Sequence, residues 1–175
     1  MGKTKEIALC AVLIALALAL SYIERFIPLQ MIVPMPGIKL GLANIVTLIA
    51  LYLFNTKYAF MILVPRCVFG AVFGGGITGL LFSLTGGVLA MFVMAGARRL
   101  RLFSIYGVSI LGAAAHNVGQ IGAAMVLMHS VYVGAYLPYL LAVSVLPGLL
   151  TGAGCAGVLR ILPNATVSVP AEMSR

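Results

Sequence analysis

Acidic residues are almost absent from this chain. It contains three, Glu6, Glu24 and Glu172, and no aspartate. General acid/base catalysis and magnesium binding both rely on closely placed carboxylates, and neither a nucleophile motif nor such a pair is present. The run Gly74–Gly76 lacks the Lys-Ser/Thr that completes a phosphate-binding loop of nucleotide hydrolases. We therefore expect a protein that is not an enzyme and that has no metal and no cofactor.

Long polar segments are also missing. The chain has 175 residues, of which 63% are hydrophobic and 8% charged, and its mean hydropathy is +1.18. This composition is typical of an integral membrane protein. No polar stretch is long enough to form a second core, which predicts a single transmembrane domain over residues 1–175. The net charge of +8 is spread in ones to threes between apolar runs, so no nucleic acid partner is expected.

Cysteines give no sign of a disulfide framework or a metal site. Cys10, Cys67 and Cys155 all lie inside apolar segments and lack the spacing of metal ligands. They are therefore interpreted as packed thiols.

Six apolar segments are long enough, or nearly so, to cross a bilayer as helices. These are Ile7–Ile23, Ile38–Phe54, Tyr58–Phe73, Ile77–Gly96, Ile105–Met128 and Leu137–Leu162. The first also resembles a secretory signal, but five more apolar segments follow it, which favours a transmembrane helix. The sequence thus predicts an all-α bundle of six transmembrane helices, with a loose tail over Pro163–Arg175.

Basic residues divide unevenly between the two predicted ends of this bundle. With the N-terminus inside, the cytoplasmic set is Lys3, Lys5, Lys57, Arg98, Arg99, Arg101, Arg160 and Arg175. In this division Arg98–Arg101 forms a basic loop, and only Arg25 and Lys39 remain near the outer surface. The positive-inside rule then predicts that both termini are cytoplasmic.

A polar elbow interrupts the apolar sequence at Pro34–Asn44, between the first two predicted helices. Prolines and glycines prevent a continuous helix through Pro34–Gly37, and non-helical backbone at membrane depth needs surrounding protein or a wet cavity. Lys39 and Asn44 are then candidates to line a binding site. An ordinary loop whose lysine lies at the membrane interface is the alternative.

Arg66 lies near the middle of the third predicted span. Burial of an arginine there costs on the order of 3 kcal/mol, so the side chain needs a partner or a wet cavity. Arg25, Lys39 and Arg66 face a single acid on the outer side, Glu24, and this surplus of positive charge predicts an anionic ligand. Alternatively, Arg66 bonds carbonyl groups freed by Pro65 and water, or reaches the interface.

Two further helices carry polar side chains. His116, Asn117 and Gln120 fall on one side of the fifth predicted helix, either as a ligand site or as an interhelical clasp. Ser83 and Thr85 on the fourth helix are weaker candidates, because hydroxyl groups also bond carbonyls of their own helix.

Small residues recur at helix-contact spacing, which permits close approach of helices in lipid. On the first helix Ala11, Ala15 and Ala19 form one strip. The strip packs within the bundle or against another subunit, and the spacing alone leaves both open.

Four motifs in order resemble a family of bacterial membrane proteins. They are Pro36–Asn44, Arg66 followed by Gly70, Phe82–Gly87 and Ala115–Gln120. Together they are similar to the Gx transporters, which are also called heptaprenyl diphosphate synthase component I. That family is in turn similar to the S components of energy-coupling factor (ECF) transporters.

The likeness to S components implies six helices, cytoplasmic termini and a ligand held toward the outer side beneath the first loop. It also implies that the strip Ala11, Ala15 and Ala19 docks a transmembrane coupling subunit driven by ATPase subunits. The synthase name fits the residues less well. Chain-elongating prenyl transferases resemble one another in two aspartate-rich motifs, and this chain has no aspartate.

The leading hypothesis is a substrate-capture subunit of an ATP-driven uptake transporter in the bacterial cytoplasmic membrane, which binds a small anionic or amphipathic molecule. Lys39 and Arg66 supply charge, and hydrogen bonds come from Asn44, Ser83, His116, Asn117 and Gln120. One alternative is a non-catalytic membrane subunit of isoprenoid synthesis. Another is an assembly protein in which the polar residues are clasps only.

Overall fold

The computed structural model describes residues 3–24, 26 and 41–161, with side chains from Ile7 onward. These residues contain no strand and form seven α-helices. The helices are α1 (Lys3–Glu24), α2 (Asn44–Leu53), α3 (Thr56–Gly70), α4 (Gly76–Leu100), α5 (Ile105–Leu127), α6 (Leu137–Val143) and α7 (Val145–Ile161). A π-helical turn, Ala71–Gly75, precedes α4, and a 3-10 turn, Val131–Tyr136, precedes α6.

The predicted all-helical membrane class is confirmed for this part of the chain. Three stretches are long and apolar enough to cross a membrane: Ile7–Glu24, Thr56–Leu100 and Ile105–Leu127. Val131–Val143 and Val145–Ile161, bent by 44°, make a fourth if they count as one span. α2 has 10 residues, about 15 Å of helix, and is shorter than the bilayer core. Six spans and the orientation of the termini stay predictions.

The long stretch Thr56–Leu100 is a hairpin of two helices. Phe73 and Gly74 have non-helical dihedral angles, and Gly74 and Gly76 have φ values of 107° and 62°, which glycine adopts without strain. The rings of Phe60 and Phe92 lie 5.3 Å apart, which pairs the start of α3 with the end of α4. The break therefore falls at the predicted Gly74–Gly76 joint, and α3 and α4 run antiparallel.

α2 is the central helix of the bundle. Nine of its ten residues are buried, including Leu48, Leu51 and Tyr52. A helix that is apolar on all sides is stable only when it is surrounded by other elements. Asn55 follows α2 and caps the start of α3. Its side-chain oxygen accepts hydrogen bonds from the backbone N–H groups of Lys57 and Tyr58 at 2.9 and 3.2 Å.

The basic segment Arg98–Arg101, predicted as a loop, is largely helical, because α4 continues to Leu100. Arg98 donates a hydrogen bond to the Leu51 carbonyl and lies 5.0 Å from the centroid of the Tyr52 ring. Carbonyl groups in the last turn of a helix have no partner within that helix, so the guanidinium stabilises the end of α2.

Two predicted spans differ from the structure. The span Ile38–Phe54 becomes a helix that begins at Asn44, after a non-helical turn from Gly41; residues 38–40 lie outside the described part. The span Leu137–Leu162 breaks at Ser144. Pro147 has no N–H to bond the carbonyl one turn earlier, which weakens the helix at this position.

Candidate functional site

A pocket opens between α1, α3, α4, α5 and the turn that leads into α2. Its empty volume, including the open mouth, is about 400 Å³. The lining residues that the structure describes combine small, polar and charged side chains: Ser21, Glu24, Gly41, Ala43, Arg66, Cys67, Gly70, Ser83 and His116. Three of the predicted site residues, Arg66, Ser83 and His116, therefore meet at one place.

Arg66 is the cation among the described lining residues of this pocket. Its side chain is only 5% exposed. Its Nη2 donates a hydrogen bond to Asn44 Oδ1 at 3.2 Å, whereas Nε has no hydrogen-bond partner among the described residues. The guanidinium packs beside Gly87, where an added Cβ would lie 3.5 Å from Nη2. Arg66 is thus packed inside the bundle and not on its outer surface.

Glu24 is the acid among the described lining residues, and the sequence analysis did not predict it as a site residue. The residue is 4% exposed, and its carboxylate accepts hydrogen bonds from the N–H groups of Gly41 and Leu42 at 2.6 and 3.1 Å. Gly41 has a φ of 82°, so a glycine suits this turn. The contact joins the end of α1 to the start of α2. Ser21 and Glu24 are three residues apart and therefore lie on one side of α1. This spacing is the sequence pattern that could have identified them as site residues.

The predicted surplus of positive charge is not seen among the described lining residues. Arg66 and Glu24 contribute one positive and one negative charge. The other two cations in that argument, Arg25 and Lys39, lie outside the described residues, as does the predicted role of Lys39 in the site.

The three polar residues of α5 separate. His116 lines the pocket and packs closely against α4, since a Cβ at Gly86 would lie 2.8 Å from its Nδ1. Asn117 Nδ2 donates to the Leu140 carbonyl at 2.9 Å, which is an interhelical clasp between α5 and α6. Gln120 is 1% exposed and is not among the described lining residues. One helix face therefore contributes both to the pocket wall and to an interhelical clasp.

The remaining predicted residues are divided between a second cavity and the outer surfaces of two helices. Asn44, besides bonding Arg66, lines a second cavity together with Ser109 and Thr151; its empty volume, including the opening, is about 240 Å³. The hydroxyl oxygens of Ser109 and Thr151 lie 2.6 Å apart and link α5 to α7. Thr85 Oγ1 donates to the Leu81 carbonyl at 2.7 Å. This is the bond to a carbonyl of its own helix that made Thr85 a weak site candidate.

The alanine strip on α1 lies on the outside of the bundle. Ala11, Ala15 and Ala19 are all exposed, whereas Cys10 and Ala17 face the core. The described residues contain no group of three or more His, Cys, Asp or Glu side chains placed to hold a metal ion.

Comparison with known proteins gives one match. Searches of curated proteins and of solved structures find nothing similar. The family model described as heptaprenyl diphosphate synthase component I matches residues 13–158, which include α2 to α6 and every described lining residue of the pocket. The predicted resemblance to this family is confirmed, while the likeness to ECF S components stays a prediction. The chain belongs to the heptaprenyl diphosphate synthase component I family.

Proposed function

We propose that this protein is a non-catalytic membrane subunit that captures a small molecule with an acidic group. The observation that carries the proposal is the guanidinium of Arg66, which is 5% exposed, lines an open pocket and has an Nε without a hydrogen-bond partner among the described residues. A buried cation with an unused donor is costly. An acidic ligand offsets that cost with a charge-assisted hydrogen bond.

The other lining groups suit a polar head attached to a small body. Ser83 and His116 line the pocket from α4 and α5, and Ser21 lines it from α1. Ala43 and Gly70 add small residues to the wall. Ligand sites of this kind combine a few placed polar groups with a mostly apolar wall.

We propose that the pocket faces the outside of the bacterial cytoplasmic membrane. Four exposed cations, Lys57, Arg99, Arg101 and Arg160, lie at or beyond ends of α3, α4 and α7. The contact of Arg98 with Leu51 joins the ends of α4 and α2, whereas the pocket lies at the start of α2. By the positive-inside rule the basic end is cytoplasmic, so the pocket is on the outer side.

Release of the ligand into the cell needs a source of energy, which we assign to partners. The exposed strip Ala11, Ala15 and Ala19 gives α1 a smooth outer face. Small side chains let a second transmembrane helix approach closely in lipid. The proposed occupant is a transmembrane coupling subunit that is driven by ATPase subunits.

Replacement of Ala15 by leucine tests this docking. The larger side chain separates the two helices, so we expect loss of the co-purifying coupling subunit while the bound small molecule remains. Native mass spectrometry of the protein purified in mild detergent measures both at once. Ala153→Leu is the matched control, because Ala153 is an exposed alanine on α7 and its replacement should leave the complex intact.

The outcomes separate the two parts of the proposal. Equal loss of partner in Ala15→Leu and Ala153→Leu would contradict docking at the strip. A protein that carries no saturable small molecule would instead contradict ligand capture and favour the assembly role.

A second candidate function follows from the family name. A membrane subunit associated with heptaprenyl diphosphate synthesis would supply an apolar channel and a cation to a separate soluble synthase. It predicts that the purified protein changes the rate or product length of such a synthase. The capture function predicts no change in either quantity.

A further inference from the structure

We infer that the connection between α4 and α5 binds the headgroups of anionic phospholipids. This α4–α5 segment, residues 99–103, alternates basic and apolar side chains: Arg99, Leu100, Arg101, Leu102 and Phe103. All five are exposed. The pocket uses none of them, so the inference stands apart from the proposed capture function.

The length of α4 brings this segment to a membrane surface. α4 has 25 residues, which make about 38 Å of helix, more than the thickness of the hydrocarbon core of a bilayer. A helix that crosses the bilayer with this length carries its last turn to the level of the lipid headgroups. Arg99 and Leu100 are in that last turn.

Backbone contacts fix the conformation of the segment at both ends. Arg101 has a φ of 53°, and its N–H donates to the Arg98 carbonyl at 3.3 Å, where α4 ends. Ser104 Oγ accepts from the Gly107 N–H at 3.3 Å and caps the start of α5. The exposed side chains between these contacts are therefore displayed by an ordered turn.

Two further exposed cations lie at the same end of the bundle. Lys57 follows the end of α2, which Arg98 contacts at the Leu51 carbonyl. α7 passes the start of α5, since a Cβ at Gly152 would lie 3.2 Å from Tyr106 Cα. Arg160 is eight residues further along α7, about 12 Å beyond that contact.

The acids of the chain are too few to neutralise these four cations. The full sequence contains three glutamates and no aspartate, and Glu24 lines the pocket at the other end of α2. Glu6 and Glu172 together offset at most two positive charges. At least two of the charges on Lys57, Arg99, Arg101 and Arg160 therefore remain for an anionic partner.

The apolar side chains of the segment favour a lipid as that partner. Leu100 is 62% exposed and Leu102 is 80% exposed, each next to an arginine. At a bilayer surface the leucines enter the boundary of the acyl chains while the guanidinium groups bind phosphate. An acidic soluble molecule would match the charges and leave the leucines in water.

Two phospholipids with the same acyl chains test the inference: anionic phosphatidylglycerol and zwitterionic phosphatidylcholine. Native mass spectrometry of the full chain in detergent measures their affinities. We expect phosphatidylglycerol to bind about tenfold or more tightly than phosphatidylcholine. Replacement of both Arg99 and Arg101 by glutamine should remove most of this preference, whereas replacement of both by lysine, which keeps the charges, should retain it.

Leu102→Ser tests the apolar part of the surface. We expect it to weaken binding of both lipids by about threefold or more and to leave their ratio unchanged. Val126→Ser is the matched control, because Val126 is 72% exposed but lies near the other end of α5. Its replacement should change neither affinity at the segment.

Equal affinity of the wild-type protein for the two lipids would overturn the inference. So would a preference for phosphatidylglycerol that survives in the double glutamine variant, because the anionic lipid would then bind elsewhere. Loss of a co-purifying protein from that variant, without any lipid preference in the wild type, would make the segment a protein-docking surface instead. Hexanoate, a small carboxylate that probes the capture pocket, should bind the variant and the wild type equally, so the two proposals succeed or fail independently.

Discussion

Replacement of Arg66 by glutamine is expected to weaken binding of hexanoate by about 100-fold or more. Glutamine has similar length and keeps a donor, but it removes the positive charge and the fork of N–H groups. Arg66 as a residue is only 5% exposed, so water screens its attraction for an acidic group little. Loss of a buried charge-assisted hydrogen bond costs about 2–5 kcal/mol. Titration calorimetry of the purified variant measures the change.

Two further variants define what the charge contributes. Arg66→Lys retains the charge but lacks the planar fork that reaches Asn44 and the pocket together, so we expect intermediate affinity. Arg99→Gln, at an exposed arginine, should bind as the wild type does. Unchanged affinity in Arg66→Gln, with the thermal unfolding midpoint also unchanged, would show that the acidic group binds elsewhere.

Gly119→Ala is expected to destabilise the bundle by about 2–4 kcal/mol. A Cβ at this position would lie 2.7 Å from the Thr85 carbonyl oxygen and 2.8 Å from Gly86 Cα. Both neighbours are backbone atoms of α4, so the two helices must separate. The same shift moves His116, which packs against Gly86 at the pocket wall. Reversible unfolding in detergent measures the free energy.

Gly122→Ala is the matched control for this substitution. Gly122 lies one turn further along α5, and a Cβ there meets nothing within 4 Å. Its replacement should leave the free energy of unfolding unchanged or raise it slightly, because alanine favours the helix. Equal destabilisation by both variants would show that the effect comes from glycine itself and not from the α4–α5 contact.

Helix positions were predictable where the hydrophobic pattern alone decides them. The fifth predicted span, Ile105–Met128, differs from α5 by one residue, and the glycine run at Gly74–Gly76 gives the break between α3 and α4. The break at Ser144 was not predicted, because the apolar sequence continues through it and the proline that weakens the helix lies three residues later.

The start of α2 was misplaced for a different reason. The predicted span extends to Ile38, but the N–H groups of Gly41 and Leu42 bond the carboxylate of Glu24, 17 and 18 residues earlier in the chain. A contact over this distance in sequence has no local pattern. Sequence reasoning therefore counted Glu24 as an acid of the outer side without pairing it with these backbone groups.

The candidate site was predictable in its cation and not in its balance of charge. An arginine inside an apolar segment indicates a functional site, whatever residues surround it in the sequence. In the structure Arg66 lines a pocket. Asn117 and His116 are adjacent on one helix, and only the position of Leu140 shows that the first is a clasp. Which polar residue meets a ligand and which meets a carbonyl depends on tertiary packing.

The nitrogen resonance of Arg66 Nε tests the central claim most directly. This N–H has no partner among the described residues, and the account predicts that it donates to the acidic group of the ligand. A ¹⁵N–¹H spectrum of the arginine side chains, with the Arg66 signal identified by its absence in Arg66→Lys, should show a downfield proton shift and slower exchange with water when hexanoate is added. Saturable binding of hexanoate that leaves this signal unmoved would contradict the account.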